Sequence, residues 1–372
     1  MRLWIECAVQ NLVPPGESVR EAVRTFQTED HFHVVLVGAV SPAGGAEDLA
    51  RLLDRLLQEG RPPKEAAGAL LSGFPMRTQV PFSLLRVQEG RSAELLECDA
   101  PPLFLVRRGH LVLLPVEEEE FGRQLLRRCS FRLQVGDRMA MVSEGFIRAR
   151  GWSRRWSWQD VALVLKRLAD TGGDAEELLG ALVRTYRRIS GDRVEREATV
   201  VAMHVRPMRT VTVWSGPPAD PREDRQALAK FLAEPGRRVI CGDTTAKIAA
   251  RLLGAELRME ERPADGWMEV PPTSTLEGVD LVTEGLVTMR AARRRLQEAA
   301  RPQDLPRRMD GATRLARLLW EADVVRFLVG MAVNPAQTAD GAGTVPLRRI
   351  VVEELAEELR RKGKVVRVEY LG

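Results

Sequence analysis

Between Val34 and Ala50 the chain reads VVLVGAVSPAGGAEDLA, and this stretch constrains the fold more than any other. The apolar run Val34 to Val37 breaks into Gly38-Ala39 and then Ser41-Pro42-Ala43-Gly44-Gly45, after which Leu49, Leu52 and Leu53 set a helical period. A buried strand, a tight turn and a helix are predicted in that order. Such a turn lets the backbone and a short acidic side chain approach a phosphate or a metal. Here the acid is missing, so the turn has the shape of a catalytic loop without its catalytic group.

At 372 residues the chain is long for a single core, and two domains are expected. The 56 basic and 52 acidic residues nearly cancel, leaving +4. Basic residues are scattered over helical stretches such as Arg293-Arg294-Arg295 and Arg348-Arg349, with no stripe of interleaved aromatics, so nucleic acid is not an expected partner. Cys7, Cys98, Cys129 and Cys241 lie far apart without paired spacing, which argues against a disulfide framework or a zinc knuckle. No apolar run reaches membrane-spanning length, and MRLWIECAVQ lacks the apolar core of a signal peptide. No membrane partner and a cytoplasmic location are expected.

In the first half, strands are predicted at Leu3 to Val13, Ala22 to Thr28 and His33 to Val40, then helices at about Ala46 to Gln58 and Lys64 to Ser72. Strands follow at Val80 to Gln88, Ser92 to Cys98, Leu103 to Arg107, Leu111 to Pro115, Phe131 to Val135 and Met139 to Val142. Helices at Gln159 to Leu168 and Ala175 to Ile189 precede a strand at Ala198 to Val205. That order suits an α-β-β-α sandwich, two antiparallel sheets between helical layers.

Four segments carry a family resemblance: the turn at Gly38, Cys98-Asp99-Ala100-Pro101-Pro102-Leu103-Phe104, Val135 to Gly145 (VGDRMAMVSEG), and Glu195 to Val201 (EREATVV). Over residues 1–206 they resemble the SpoIIE-like branch of the PPM-type, metal-dependent protein serine/threonine phosphatases. In such enzymes Asp oxygens and waters hold two Mg or Mn ions, and a metal-bound water attacks the phosphorus.

The resemblance implies metal positions at Glu21, Glu144 and Glu197, each standing where relatives carry Asp. Gly38 replaces the Asp that bridges both ions, and Arg196-Glu197 replaces a closing Asp-Asp pair. A Glu adds about 1.5 Å of reach, whereas Mg prefers oxygens about 2.1 Å away in a rigid shell. Gly38 offers no side chain, and the Arg196 cation opposes metal binding. The expectation is that the two-metal centre is absent and no cofactor is needed, with Mn or Mg the cofactor of any active form. Surface acids in loops remain the alternative for the three glutamates.

His31, His33, His110 and His204 stand beside no readable nucleophile and are read as structural. Glu117 to Glu120 is read as a solvated loop. Gly151 to Asp160, GWSRRWSWQD, is open between a docking surface and a flap with buried rings.

The second half, residues 209–372, alternates strands and helices and is read as a three-layer α/β domain. Arg238 to Cys241 runs as a strand into Gly242-Asp243-Thr244-Thr245 and an alanine-rich helix. Gly242, Thr244 and Thr245 are anion-binding candidates there; an ordinary cap by Asp243 or Thr244 is the preferred reading. Asn334-Pro335-Ala336 closes a later strand, where α/β sheets place ligands. Gly216-Pro217-Pro218, Cys241 to Ala246, Asp280 to Gly285 and Asn334 to Ala336 are similar to a series found in a subset of the SpoIIE-like branch.

Three functions follow. The first is a phosphatase homologue with impaired catalysis, a regulatory module whose partner is a phosphoprotein or signalling protein. The second is an active Mn- or Mg-dependent phosphoserine/phosphothreonine phosphatase with Glu ligands. The third is a small-molecule or nucleotide sensor acting through the second domain.

Overall fold

A computed structural model describes all residues except 1, 41–44, 75–77, 122–123, 149–155, 170–171, 261–268 and 333–345. Its contacts divide the chain into Met1–Pro207 and Met208–Gly372.

The first unit runs β1 (Leu3–Leu12), β2 (Ala22–Gln27), β3 (His31–Val37), α1 (Ala46–Gln58), α2 (Pro63–Ser72), β4 (Phe82–Gln88), β5 (Ser92–Cys98), β6 (Phe104–Arg107), β7 (His110–Val112), β8 (Glu117–Phe121), β9 (Gln124–Arg132), β10 (Arg138–Val142), α3 (Glu144–Ile147), α4 (Trp158–Ala169), α5 (Ala175–Ser190) and β11 (Ala198–Pro207). Among the described residues these strands form two sheets, ordered β1-β11-β10-β6-β7 and β2-β3-β4-β5-β9-β8. The expected α-β-β-α sandwich is what forms.

Both faces of each sheet are covered, which explains why β3 is apolar without alternation. Its Phe32, Val34 and Leu36 point between the sheets toward Met139, Met141, Val201 and Met203. Val35 and Val37 point outward, under Leu53, Leu57 and Leu70 of α1 and α2. Helices α4 and α5 cover the other sheet through Leu165, Leu178, Leu182 and Tyr186. Each such buried aliphatic chain contributes about 1.5–3 kcal/mol.

His33 is buried and hydrogen-bonds Asp54 of α1 through Nε2 at 2.7 Å, while its Nδ1 lies 2.9 Å from His31 Nε2. The pair joins strand to helix, and burial pulls both imidazole pKa values down, that of His31 to about 4.

Three expectations change. Glu117 to Glu120 is no loop: it forms most of β8, pairs with β9 and sets Glu117 2.7 Å from Arg128. Cross-strand charge pairing replaces the missing apolar face. The strand expected at Phe131 to Val135 starts earlier, at Gln124, and ends at Arg132. Of the tryptophan segment, 151–155 lies outside the described residues; Trp156 is buried against Phe146, and the Trp158 ring stacks on Phe104 at 4.9 Å.

The second unit runs β12 (Thr210–Ser215), α6 (Asp224–Ala233), β13 (Arg237–Cys241), α7 (Asp243–Leu253), β14 (Arg258–Met259), β15 (Ser274–Leu276), β16 (Val279–Thr283), α8 (Leu286–Glu298), α9 (Gly311–Glu321), β17 (Val324–Gly330), α10 (Leu347–Arg361) and β18 (Val365–Leu371). The sheet order is β14-β15-β16-β13-β12-β17-β18. Strands β16, β13, β12, β17 and β18 pair in parallel, with β15 and β14 antiparallel at one edge. Helices α8, α9 and α10 pack one face around Met289, Leu315 and Leu355. Helices α6 and α7 pack the other around Phe231 and Ala249. This is the expected three-layer domain. Among the described residues no helix is long and apolar enough to cross a membrane.

Candidate functional site

Strand register in the first unit brings distant residues to one end of the sandwich. Ala22 pairs with Val37, so Glu21 and Gly38 stand at the same end of one sheet. In the other sheet Asn11 is opposite Thr199 and Val142 is opposite Val200, which brings Ser143, Glu144 and Glu197 there too. Glu21, Gly38, Glu144, Arg196 and Glu197 all line one cavity of about 370 Å³, together with Glu17, Arg20, Ser83, Asp99, Ser143 and Glu195.

Two of the glutamates are not surface loop acids. Glu197 is 8% exposed, and its carboxylate accepts three hydrogen bonds: Asn11 Nδ2 at 2.6 Å, the Arg20 amide at 2.8 Å and the Glu21 amide at 3.1 Å. Glu21 is 7% exposed and accepts the Thr199 hydroxyl at 2.5 Å. Burial pushes its pKa up to about 7; hydrogen bonds from Thr199 and Ser143 oppose the rise and the nearby Glu197 charge adds to it. Ser143 Oγ accepts the Thr199 amide at 2.9 Å, and the Ser143 amide donates back to the Thr199 carbonyl at 2.9 Å.

Glu144 differs from both. It opens α3 at the surface and pairs with Arg148 at 2.6 Å. The next residue explains the approach of α3 to β11: a Cβ on Gly145 would stand 1.9 Å from the Glu197 carbonyl oxygen. Gly38 is less confined, since a Cβ there would meet Pro81 Cγ at 3.1 Å. Arg196 is exposed at the rim.

The donor set does not suit a pair of divalent ions. Gly38 presents no side-chain oxygen, Glu144 is engaged by Arg148, and both Glu197 oxygens already accept protein donors. Among the described residues no group of three or more His, Cys, Asp or Glu side chains is arranged to hold a metal ion.

Asn11, Thr199 and Ser143 hold the retained acids, yet sequence reading did not find them. Their signal lies in register, across up to 186 residues of separation. In the second unit Gly242, Thr244 and Thr245 line a separate cavity. The expected cap is corrected: Gly242 itself is the N-cap of α7, at φ 141°, and no side chain among the described residues caps the helix. Asn334-Pro335-Ala336 lies outside the described residues.

No protein-family model matches this sequence, and no curated protein matches it. Among solved structures the chain is similar to the phosphatase domain of SpoIIE from Bacillus subtilis, at 17% identity and TM-score 0.43, covering 55% of this chain and 93% of that one. It is similar to the RsbU and RsbW domains of a Mycobacterium tuberculosis protein, at 17% identity and TM-score 0.46, covering 61% and 67%. It is also similar to the catalytic domain of the serine/threonine phosphatase PstP, solved with two manganese ions, at 12% identity and TM-score 0.38, covering 55% and 100%.

Proposed function

We propose that the first unit is a PPM-type phosphatase homologue in which a hydrogen-bonded carboxylate network stands where a two-metal centre would be, and that it acts as a regulatory module binding a phosphoprotein of a bacterial signalling system. The observation that carries this reading is the state of Glu197: its carboxylate is spent on Asn11 and two backbone amides. Gly38, meanwhile, supplies no bridging oxygen. A shared carboxylate is what holds two dications a few ångströms apart, and without it their mutual repulsion is uncompensated. Arg20 and Arg196, both at the cavity, supply guanidinium groups of the kind that grip a phosphate through paired hydrogen bonds.

The test is turnover of p-nitrophenyl phosphate with manganese. The unaltered protein is expected to show no rate that EDTA abolishes, and Gly38→Asp combined with Arg196→Asp is expected to gain one. An EDTA-sensitive rate in the unaltered protein contradicts the reading.

One observation favours a second reading, an active Mn- or Mg-dependent phosphatase. Glu17, Asp99, Glu144 and Glu195 add further carboxylates to the cavity wall, and such a wall attracts cations. The same turnover measurement separates the two.

A further inference from the structure

The parallel strands of the second unit stand in the spatial order β16-β13-β12-β17-β18, so the chain's direction of travel reverses between β12 and β17. Open α/β sheets bind ligands outside the carboxyl ends of their strands near such a reversal. A cavity of about 160 Å³ lies at those ends, lined by residues that follow β12, β13 and β16 and by Arg348 of α10.

Its walls are built for close approach. A Cβ on Gly216 would stand 1.7 Å from Arg348 Nη1, so the guanidinium lies directly over that turn. Gly242 and Gly285, the N-caps of α7 and α8, face each other: a Cβ on Gly285 would stand 3.3 Å from the Gly242 Cα. The amides of Gly242 and Asp243 donate to the carbonyls of Thr283 and Glu284. The amides of Thr244 and Thr245 remain as the open N-terminus of α7, which no side chain among the described residues caps.

Two independent observations point to a ligand site. Thr245 lines the cavity, is 1% exposed, and its hydroxyl has no hydrogen-bond partner among the described residues; a buried hydroxyl without a partner is destabilising unless something meets it. Arg348 is partly buried, donates to the Gly330 carbonyl at 3.2 Å, and pairs with no carboxylate among the described residues. Burial alone lowers its pKa. Asp243 and Glu284 stand at the same cavity; Glu284 Oε2 accepts the Val287 amide at 3.2 Å, and the remaining carboxylate oxygens suit hydrogen bonds from hydroxyls rather than contact with anions.

We propose that this cavity binds the phosphate of a small hydroxyl-bearing phosphate ester, a sugar phosphate or nucleoside monophosphate. Arg348, the α7 N-terminus and Thr245 hold the phosphate, and Asp243 and Glu284 hold neighbouring hydroxyls. The site is independent of the function proposed for the first unit.

Calorimetric titration and thermal shift of the full chain with ribose 5-phosphate, AMP, inorganic phosphate and ribose test it. Ribose 5-phosphate or AMP is expected to bind and raise Tm, inorganic phosphate at least tenfold more weakly, and ribose not at all. Thr245→Val, isosteric at a hydroxyl without a partner, is expected to keep the unliganded Tm and weaken binding at least tenfold; Arg348→Met is expected to abolish it. No binding by either ester, inorganic phosphate binding as tightly as the esters, or undiminished binding in folded Thr245→Val and Arg348→Met overturns the proposal.

Discussion

The Glu197 carboxylate accepts the backbone amide of Glu21 at 3.1 Å, so one acid of the cavity holds the chain that carries the other. Glu21 in turn accepts the Thr199 hydroxyl, two residues beyond Glu197. Strands β2 and β11, in different sheets, are thereby tied together by carboxylates.

Removing the tie leaves one buried and two partly buried donors unmet. Glu197→Ala strands Asn11 Nδ2 and the amides of Arg20 and Glu21, each costing about 1–3 kcal/mol if nothing replaces the acceptor. A loss of about 3 kcal/mol or more is expected in denaturant unfolding, read as a lower midpoint at unchanged slope. Glu197→Gln keeps one acceptor oxygen and loses less.

Glu21 gives the cavity a pH signature. Its folded pKa of about 7 lies above the ordinary 4.5, so the folded state binds more protons than the unfolded one between those values. Its contribution to stability is full below about pH 4.5 and declines as pH rises through 7. The stability difference between the unaltered protein and Glu21→Gln therefore falls from pH 5 to pH 8. A difference that is flat across that range contradicts the raised pKa.

Glycine substitutions separate shape from chemistry. Gly145→Ala drives a methyl into the Glu197 carbonyl and is expected to cost about 3 kcal/mol. Among the described residues Gly38→Ala meets Pro81 alone, its ring carbons first, and is expected to cost under about 1 kcal/mol, read from paired thermal unfolding curves. The space at Gly38 is what makes Gly38→Asp a usable test.

Sequence periodicity located β3, α1 and the alternation of the second unit, because apolar burial leaves its period in the residues that do it. It misplaced β8, since four glutamates carry no apolar period and the strand forms through pairing with β9 and its arginines. It likewise missed the bare N-terminus of α7: Gly242 holds φ 141° with backbone bonds to the β16 end, while Asp243 and Thr244 merely stand where caps usually do. At the cavity, motif order placed Glu21, Gly38, Glu144 and Glu197 together, but only strand register shows that Asn11 and Thr199 occupy the oxygens of two of them.

Equilibrium dialysis of the unaltered full chain against manganese, with bound metal counted per chain, decides whether the cavity is a metal centre. No stoichiometric manganese is expected at the Glu21, Gly38 and Glu197 cavity, with uptake only after Gly38→Asp with Arg196→Asp. A pair of manganese ions bound per unaltered chain, and lost on Glu197→Gln, would contradict it.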